Sequence, residues 1–350
     1  MKKKKKFIAA ISIVILIVVT CFIYYQLERT ILPLSFNPAN SEVEVKISSG
    51  SSLRTIANLL FEHKVIQDID DFIFTTKIFR AANKLKAGKY TLPINASNYT
   101  IVKILSKGVV AAERVVIPEG FTARQIASLL QKKIEIDSAK FMSLVNDREF
   151  IAKQGLDERS LEGYLYPNTY QFYWGMNEKD VIEKLVKEFH RNVTDSIRQK
   201  IEDMDWTLSE VVTLASIIEG EAIVDSERAV ISAVYHNRLR SGMLLQADPT
   251  IQYIIPNGPR RLLKKDLAIE SPYNTYKHAG LPPGPVNNPG IKSILAAIEP
   301  ASVPYLYFVA KGDGSHIFSY NLRQHILAKK KFDAYRREVK RKAYAKTSNR

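Results

Sequence analysis

Cysteine is almost missing from this chain of 350 residues, which holds a single one, Cys21. A disulfide within the chain and a cysteine-ligated metal are both excluded on that ground. Histidine offers no substitute. His236, His278, His316 and His325 show no His-x-x-x-His or related ligand spacing, which sets aside a metal hydrolase and leaves no metal or cofactor expected. The body also lacks an excess of either charge. The formal net charge is +15, but Lys2 to Lys6 are five lysines in a row, and Lys329 to Arg350 holds ten Lys/Arg against two Asp/Glu. What lies between is close to neutral, so no nucleic acid is expected as a partner, because backbone binding needs charge clustered on a folded face. Apolar material is plentiful, with 46% hydrophobic against 25% charged residues. Such a chain can bury a core, and its length allows two or three domains.

One long apolar run is present, Phe7 to Tyr25, directly after the lysines and without a charge. As a helix it would measure roughly 28 Å, about one bilayer core. A cleaved signal peptide would be shorter and end at a small-x-small site, and Val18, Val19, Thr20 and Cys21 offer none. The lysines hold residues 1–6 in the cytoplasm, so residues 7–25 are expected to form a single-pass transmembrane anchor. The rest then lies outside the cytoplasmic (inner) membrane, and 26–41, with two prolines and little periodicity, reads as a stalk.

Beyond the stalk, Val43, Val45 and Ile47 alternate as in a strand, and a turn around Gly50 follows. Leu53, Ile56, Ala57, Leu59 and Leu60 then recur at helical spacing. The same order returns seventy residues on. Val115, Ile117, Gly120, Arg124, Ile126, Ala127, Leu129 and Leu130 align without a gap on Val45, Ile47, Gly50, Arg54, Ile56, Ala57, Leu59 and Leu60. Lys86 to Leu92 suggests a strand closing the first copy, and Thr100 to Ser106 a helix. The expected fold class is therefore α+β. It comprises the transmembrane helix, a small α+β subdomain over 42–110, a larger α+β domain over 111–335 with the second copy at 113–136, and a solvated basic tail over 336–350. The small units resemble LysM modules, and that likeness implies affinity for N-acetylglucosamine-containing glycans.

A helix is expected over Phe141 to Phe150 and another over Asp180 to Lys200. Between them, Leu161 to Tyr170 carries three tyrosines beside Gly163, Pro167 and Asn168. Tyrosines in such a loop either fill the core or lie on the apolar face of a sugar ring.

The chemistry begins at Thr207. Thr207 and Glu210 form a capping box, so a helix starts there, with Leu208, Val211, Val212, Ala215 and Ile218 as its apolar stripe. Glu219 continues that face, one residue before Gly220, read as the helix stop. Desolvation and the negative helix end should both raise the pKa of a carboxyl so placed, as a general acid near neutral pH requires. Glu221, past the glycine, is expected to be better solvated, with the lower pKa. A second helix is expected from about Ser226 to Arg240-Ser241-Gly242.

Wording as well as spacing singles out this segment. Leu214 to Ala222, Glu227-Arg228, Asn237-Arg238-Leu239, Leu245 to Thr250, Tyr273 to Tyr276, Gly280 to Pro285 and Asn288-Pro289-Gly290 together resemble the MltG (YceG-like) endolytic murein transglycosylases. Ile117 to Gly120, the Glu162 to Tyr170 loop, and Pro304 to Val309 with His316 and Phe318 extend the likeness from about Val43 to Lys331. Gly220 departs from relatives with a charged residue there. The resemblance implies that Glu219 is the catalytic residue, and that Glu221, Gln246, Asp248, Tyr273, Asn274 and Thr275 are candidate substrate-binding residues. It further implies cleavage between N-acetylmuramic acid and N-acetylglucosamine within peptidoglycan strands, leaving 1,6-anhydro ends. The work would be done beside the glycan polymerases and penicillin-binding proteins of wall synthesis. A non-catalytic peptidoglycan-binding scaffold is the alternative.

Overall fold

The structure, a computed structural model, describes residues 2–30, 42–48, 50–94, 96–108, 112–256 and 258–348. Two compact units result. The first comprises 1–114 with 133–135 and 171–176, the second 115–132, 136–170 and 177–350.

Helix α1 (Lys2–Thr30) takes in the lysines, the apolar run and residues 26–30. The stalk expected over 26–41 therefore begins as helix, and its remainder, 31–41, lies outside the described residues. Among the described residues no helix is long and apolar enough to cross a membrane. The side chains of residues 7–10, the start of the apolar run, lie outside that description, and those from Ile11 to Tyr25 are exposed.

The order in the rest of the first unit is β1 (Glu42–Ile47), α2 (Leu53–Glu62), α3 (Ile69–Ile78), β2 (Gly88–Pro93) and α4 (Asn98–Lys107). The strands pair antiparallel, from Glu42 opposite Pro93 to Ile47 opposite Gly88. Strand alternation sends Val45, Ile47, Tyr90 and Leu92 into one core with Ile56, Leu60, Phe72, Ile101 and Leu105. Side chains of Ser52, Asp68 and Ser97 accept the first free N–H groups of α2, α3 and α4. Each cap stabilises its helix by about 1 kcal/mol.

Next come β3 (Ala112–Val116) and α5 (Ala123–Ile134), repeating the strand, turn and helix of β1 and α2. Both turns place a glycine at positive φ, Gly50 at 80° and Gly120 at 75°, and Ile56, Ala57, Leu60 and Ile126, Ala127, Leu130 are buried alike. Two helices, α6 (Ser138–Val145) and α7 (Arg148–Lys153), replace the single one expected over 141–150, because Asp137 and Asp147 each cap a fresh N-terminus. After β4 (Thr169–Tyr173), the helix expected over 180–200 is likewise divided, into α8 (Glu178–Asn192) and α9 (Asp195–Asp203). Its break falls at Thr194, whose backbone is extended.

Helix α10 (Leu208–Glu221) occupies the centre of the second unit. Thr207 and Glu210 form the expected capping box. Burial is not confined to a stripe, since every residue from Val211 to Ile218 is buried, as in a helix surrounded by protein. Truncating one of them, Ile217 for instance, to alanine would cost about 2–5 kcal/mol. Packed on it are α11 (Arg228–Arg240), α12 (Asp248–Ile254) and α13 (Ile291–Ile298). A hairpin of β5 (Tyr307–Ala310) and β6 (His316–Ser319) leads to α14 (Leu322–Ser348), so helix reaches into the basic tail expected over 336–350.

Candidate active site

The C-terminal turn of α10 carries Glu219, and its side chain is 6% exposed. One carboxylate oxygen, Oε1, lies 3.1 Å from Nη1 of Arg228, itself 8% exposed. The other, Oε2, accepts the backbone N–H of Gly290 at 3.0 Å. Gly290 is the N-cap of α13, so the carboxylate faces the positive end of that helix. Arg228 also reaches Asp225 Oδ1 with Nε at 3.1 Å and donates to the Ser293 hydroxyl. The apolar surroundings expected for Glu219 are thus breached by two donors, one charged and one from the backbone.

Three loops meet beside this carboxylate, and Asn288 joins them. Its Oδ1 accepts from the N–H groups of Gly163 and Leu165 at 2.9 and 2.8 Å. Its Nδ2 donates to Phe121 O and Glu162 Oε1 at 2.8 and 2.9 Å. Backbone bonds between Gly120 N and Asn288 O, and between Asn288 N and Phe121 O, both 2.9 Å, complete the joint. Glu119 is held on this turn, its carboxylate against the α-carbon of Gly290, where any side chain on residue 290 would overlap it. Glu162 is buried, and its carboxyl is pushed up to about 8 by desolvation, against the opposing hydrogen bonds from Ala123 N–H, Asn288 and Tyr253.

Glu221 reverses its expectation. Helix α10 runs through Gly220 and ends on Glu221, with Ala222 as its cap. Gly220 does not stop the helix; it admits α12, since a Cβ there would fall 2.6 Å from Cγ of Pro249. The Glu221 carboxyl accepts from the Tyr235 hydroxyl at 3.2 Å. Burial first, and then the charge of Asp248, push it up to about 7, not down.

The remaining candidates separate by exposure. Asp248 is exposed and accepts from the Tyr276 hydroxyl at 2.5 Å. Gln246 is exposed at positive φ, and its N–H bonds Thr275 O. Tyr273 is half-buried against Tyr253, with ring centres 5.1 Å apart. Asn274 and Thr275 are buried. Asn274 Nδ2 donates to Leu267 O and Ile269 O, and Thr275 Oγ1 accepts from Ala247 N–H and bonds Thr250. Thr275 braces the segment that presents Gln246 and Asp248, whereas Asn274 ties its own turn to residues 267–269. Tyr164, Tyr166 and Tyr170, weighed as sugar platforms, are buried too. Sequence reasoning passed over Arg228, Glu119, Asn288 and Gly290 as site residues, although their motifs were visible as strings.

Among the described residues no three His, Cys, Asp or Glu side chains gather as a metal ion would need. A buried glutamate clamped by a guanidinium and a helix N-terminus, with further carboxyl groups close by, defines a protein built for proton transfer by carboxyl groups. The chain belongs to the YceG-like family, whose profile matches residues 45–331. The endolytic murein transglycosylase of Bacillus subtilis (strain 168) is 33% identical over 316 residues, covering 86% of this chain and 87% of that protein. A protein of the same name from Streptococcus pneumoniae serotype 2 (strain D39) is 30% identical over 338 residues. That match covers 87% of this chain but 60% of the pneumococcal protein. A 2.6 Å crystal structure of a yceG-like protein from Listeria monocytogenes superposes with a TM-score of 0.57 at 34% identity, over 82% of this chain and 98% of the other.

Proposed function

We propose that this protein is an endolytic peptidoglycan lytic transglycosylase with Glu219 as its single acid and base. The observation that carries the reading is the doubly held Glu219 carboxylate, in a chain a third identical to endolytic murein transglycosylases. Protonated Glu219 gives its proton to the glycosidic oxygen as the bond from C1 of N-acetylmuramic acid breaks. The resulting carboxylate, matched by Arg228 and Gly290 N–H, takes the proton of the same sugar's C6 hydroxyl as that oxygen bonds C1. An anhydro end forms and no water is consumed, unlike in hydrolases with two carboxyl groups. Asp248 and Gln246 are exposed and Tyr273 is half-buried, and these three are the proposed glycan contacts. The order β1, α2, α3, β2 supports a LysM-like glycan-binding role for the first unit. Lys2 to Lys6 with the uncharged run in α1 support a single-pass anchor, its body outside the cytoplasmic membrane and within reach of glycan polymerases.

Mass spectrometry of glycan products is the test. Glu219→Gln keeps shape but cannot exchange a proton, so anhydro-ended fragments should fall by about 10²-fold or more while strand binding persists. Release at the wild-type rate would refute the assignment.

A further inference from the structure

We propose that Glu119 is a positioning residue of this site, its carboxyl seated on Gly290 and coupled through its charge to the proton transfer at Glu219. The inference rests on the transglycosylase reading and adds to it a second carboxyl, which a one-carboxyl mechanism does not call for.

The geometry is specific. Gly290 lies between the two acids: its N–H bonds Glu219 Oε2 at 3.0 Å, and its α-carbon is covered by the Glu119 carboxylate. The turn bearing Glu119 also lies against Glu219 itself, since a Cβ on Gly120 would stand 3.6 Å from Cγ of Glu219. The two backbone bonds between this turn and Asn288 prevent it from swinging away. Glu119 is exposed on its other side, so the pair has one inner and one outer member. Packing and then the charge of Glu219 push the Glu119 carboxyl up, while Arg228 and Lys292 pull it down and Asp225 adds a smaller upward push. Tyr166 faces it as well, a phenol pushed up to about 12 by burial first and by Glu119 next.

The reaction gives such a pair a purpose. Glu219 must hold a proton before the C1–O bond breaks and be a carboxylate immediately after. Arg228 and the Gly290 N–H suit the second state, and a neighbouring negative charge suits the first. The Glu119 carboxyl, seated on Gly290, places such a charge beside Glu219.

Full-length wild type and Glu119→Gln are compared by rate of anhydro-end release across pH. The glutamine keeps the packing on Gly290 and removes the charge. Its alkaline limb should move to lower pH by about half a unit or more, with KM unchanged, and Glu119→Asp should restore it toward wild type. Superimposable profiles would overturn the proposal whatever the rates. Carboxyl-carbon NMR of the protein without substrate supplies a second readout: in Glu219→Gln the Glu119 resonance should titrate at lower pH than in wild type. An unmoved midpoint rejects the coupling even if Glu119→Gln does not fold. Should wild type release no anhydro ends, the functional reading falls, and this titration still decides whether the carboxyls are coupled.

Discussion

At the residue scale, Arg228 is the group on which the site's charge balance turns. It touches Glu219, Asp225 and Ser293 at once, and both it and Glu219 are withdrawn from water. Removing one partner of a buried ion pair leaves the other charge uncompensated, at about 3–5 kcal/mol. Arg228→Ala is therefore expected to lower unfolding free energy by about that amount in urea titrations. Arg228→Lys should retain the charge but lose the fork, and with it most activity. A variant with wild-type stability would show that the pair is idle. The place of Glu219 on the last turn of α10 was legible beforehand from a capping box and an apolar period, while its proposed role came from the family resemblance. The Glu221 environment was not, because a glycine inside a helix costs about 1 kcal/mol and reads as a stop unless the neighbour it admits, Pro249, is known. Gly290 lies 71 residues from Glu219, and no periodicity spans that distance.

At the element scale, the site depends on how the segments 118–123, 161–166 and 286–290 are tied, and Asn288 is the knot. Its amide makes four hydrogen bonds, three of them to backbone groups. A buried donor or acceptor left unpaired costs about 1–3 kcal/mol, so Asn288→Ala should destabilise by about 3 kcal/mol or more. Activity should fall further than stability, since Glu119 and Gly290 lose their seat. Equal activity per folded molecule would argue against that. Element order was largely readable: strand alternation gave β1, the repeat gave α5, and the Thr207-Glu210 box gave α10. Helix breaks were not. Asp147 caps a new helix inside the run expected over 141–150, and the run over 180–200 breaks at Thr194, whose backbone is extended and whose side chain makes no cap hydrogen bond.

At the scale of the whole molecule, two glutamates tie stability to pH, Glu162 buried and Glu221 half-buried. Burial pushes Glu162 up to about 8, and burial with Asp248 pushes Glu221 up to about 7, whereas the unfolded chain's carboxyls titrate near about 4.3. Between those values the folded protein binds more protons than the unfolded one, so unfolding free energy falls as pH rises. The contribution is complete below the unfolded value and is lost as pH passes through about 7 and then about 8. Acid eventually reverses the trend. Asp266, held at about 2 by Arg260 and then the Leu263 N–H, contributes stability only while ionised. Thermal melting of the full-length protein should therefore give a higher Tm near about pH 6 than near about pH 8.5. The size of the effect should be on the order of a few kcal/mol, because one pKa unit corresponds to about 1.36 kcal/mol and Glu162 is withdrawn from solvent. Glu162→Gln leaves an acceptor for Ala123 N–H and removes the ionisation, so its melting curve should be flatter across this interval and its Tm near about pH 8.5 should approach the value near about pH 6. A wild-type Tm that rises with pH from about 6 to about 8.5 would mean that neither glutamate keeps its proton in the folded state.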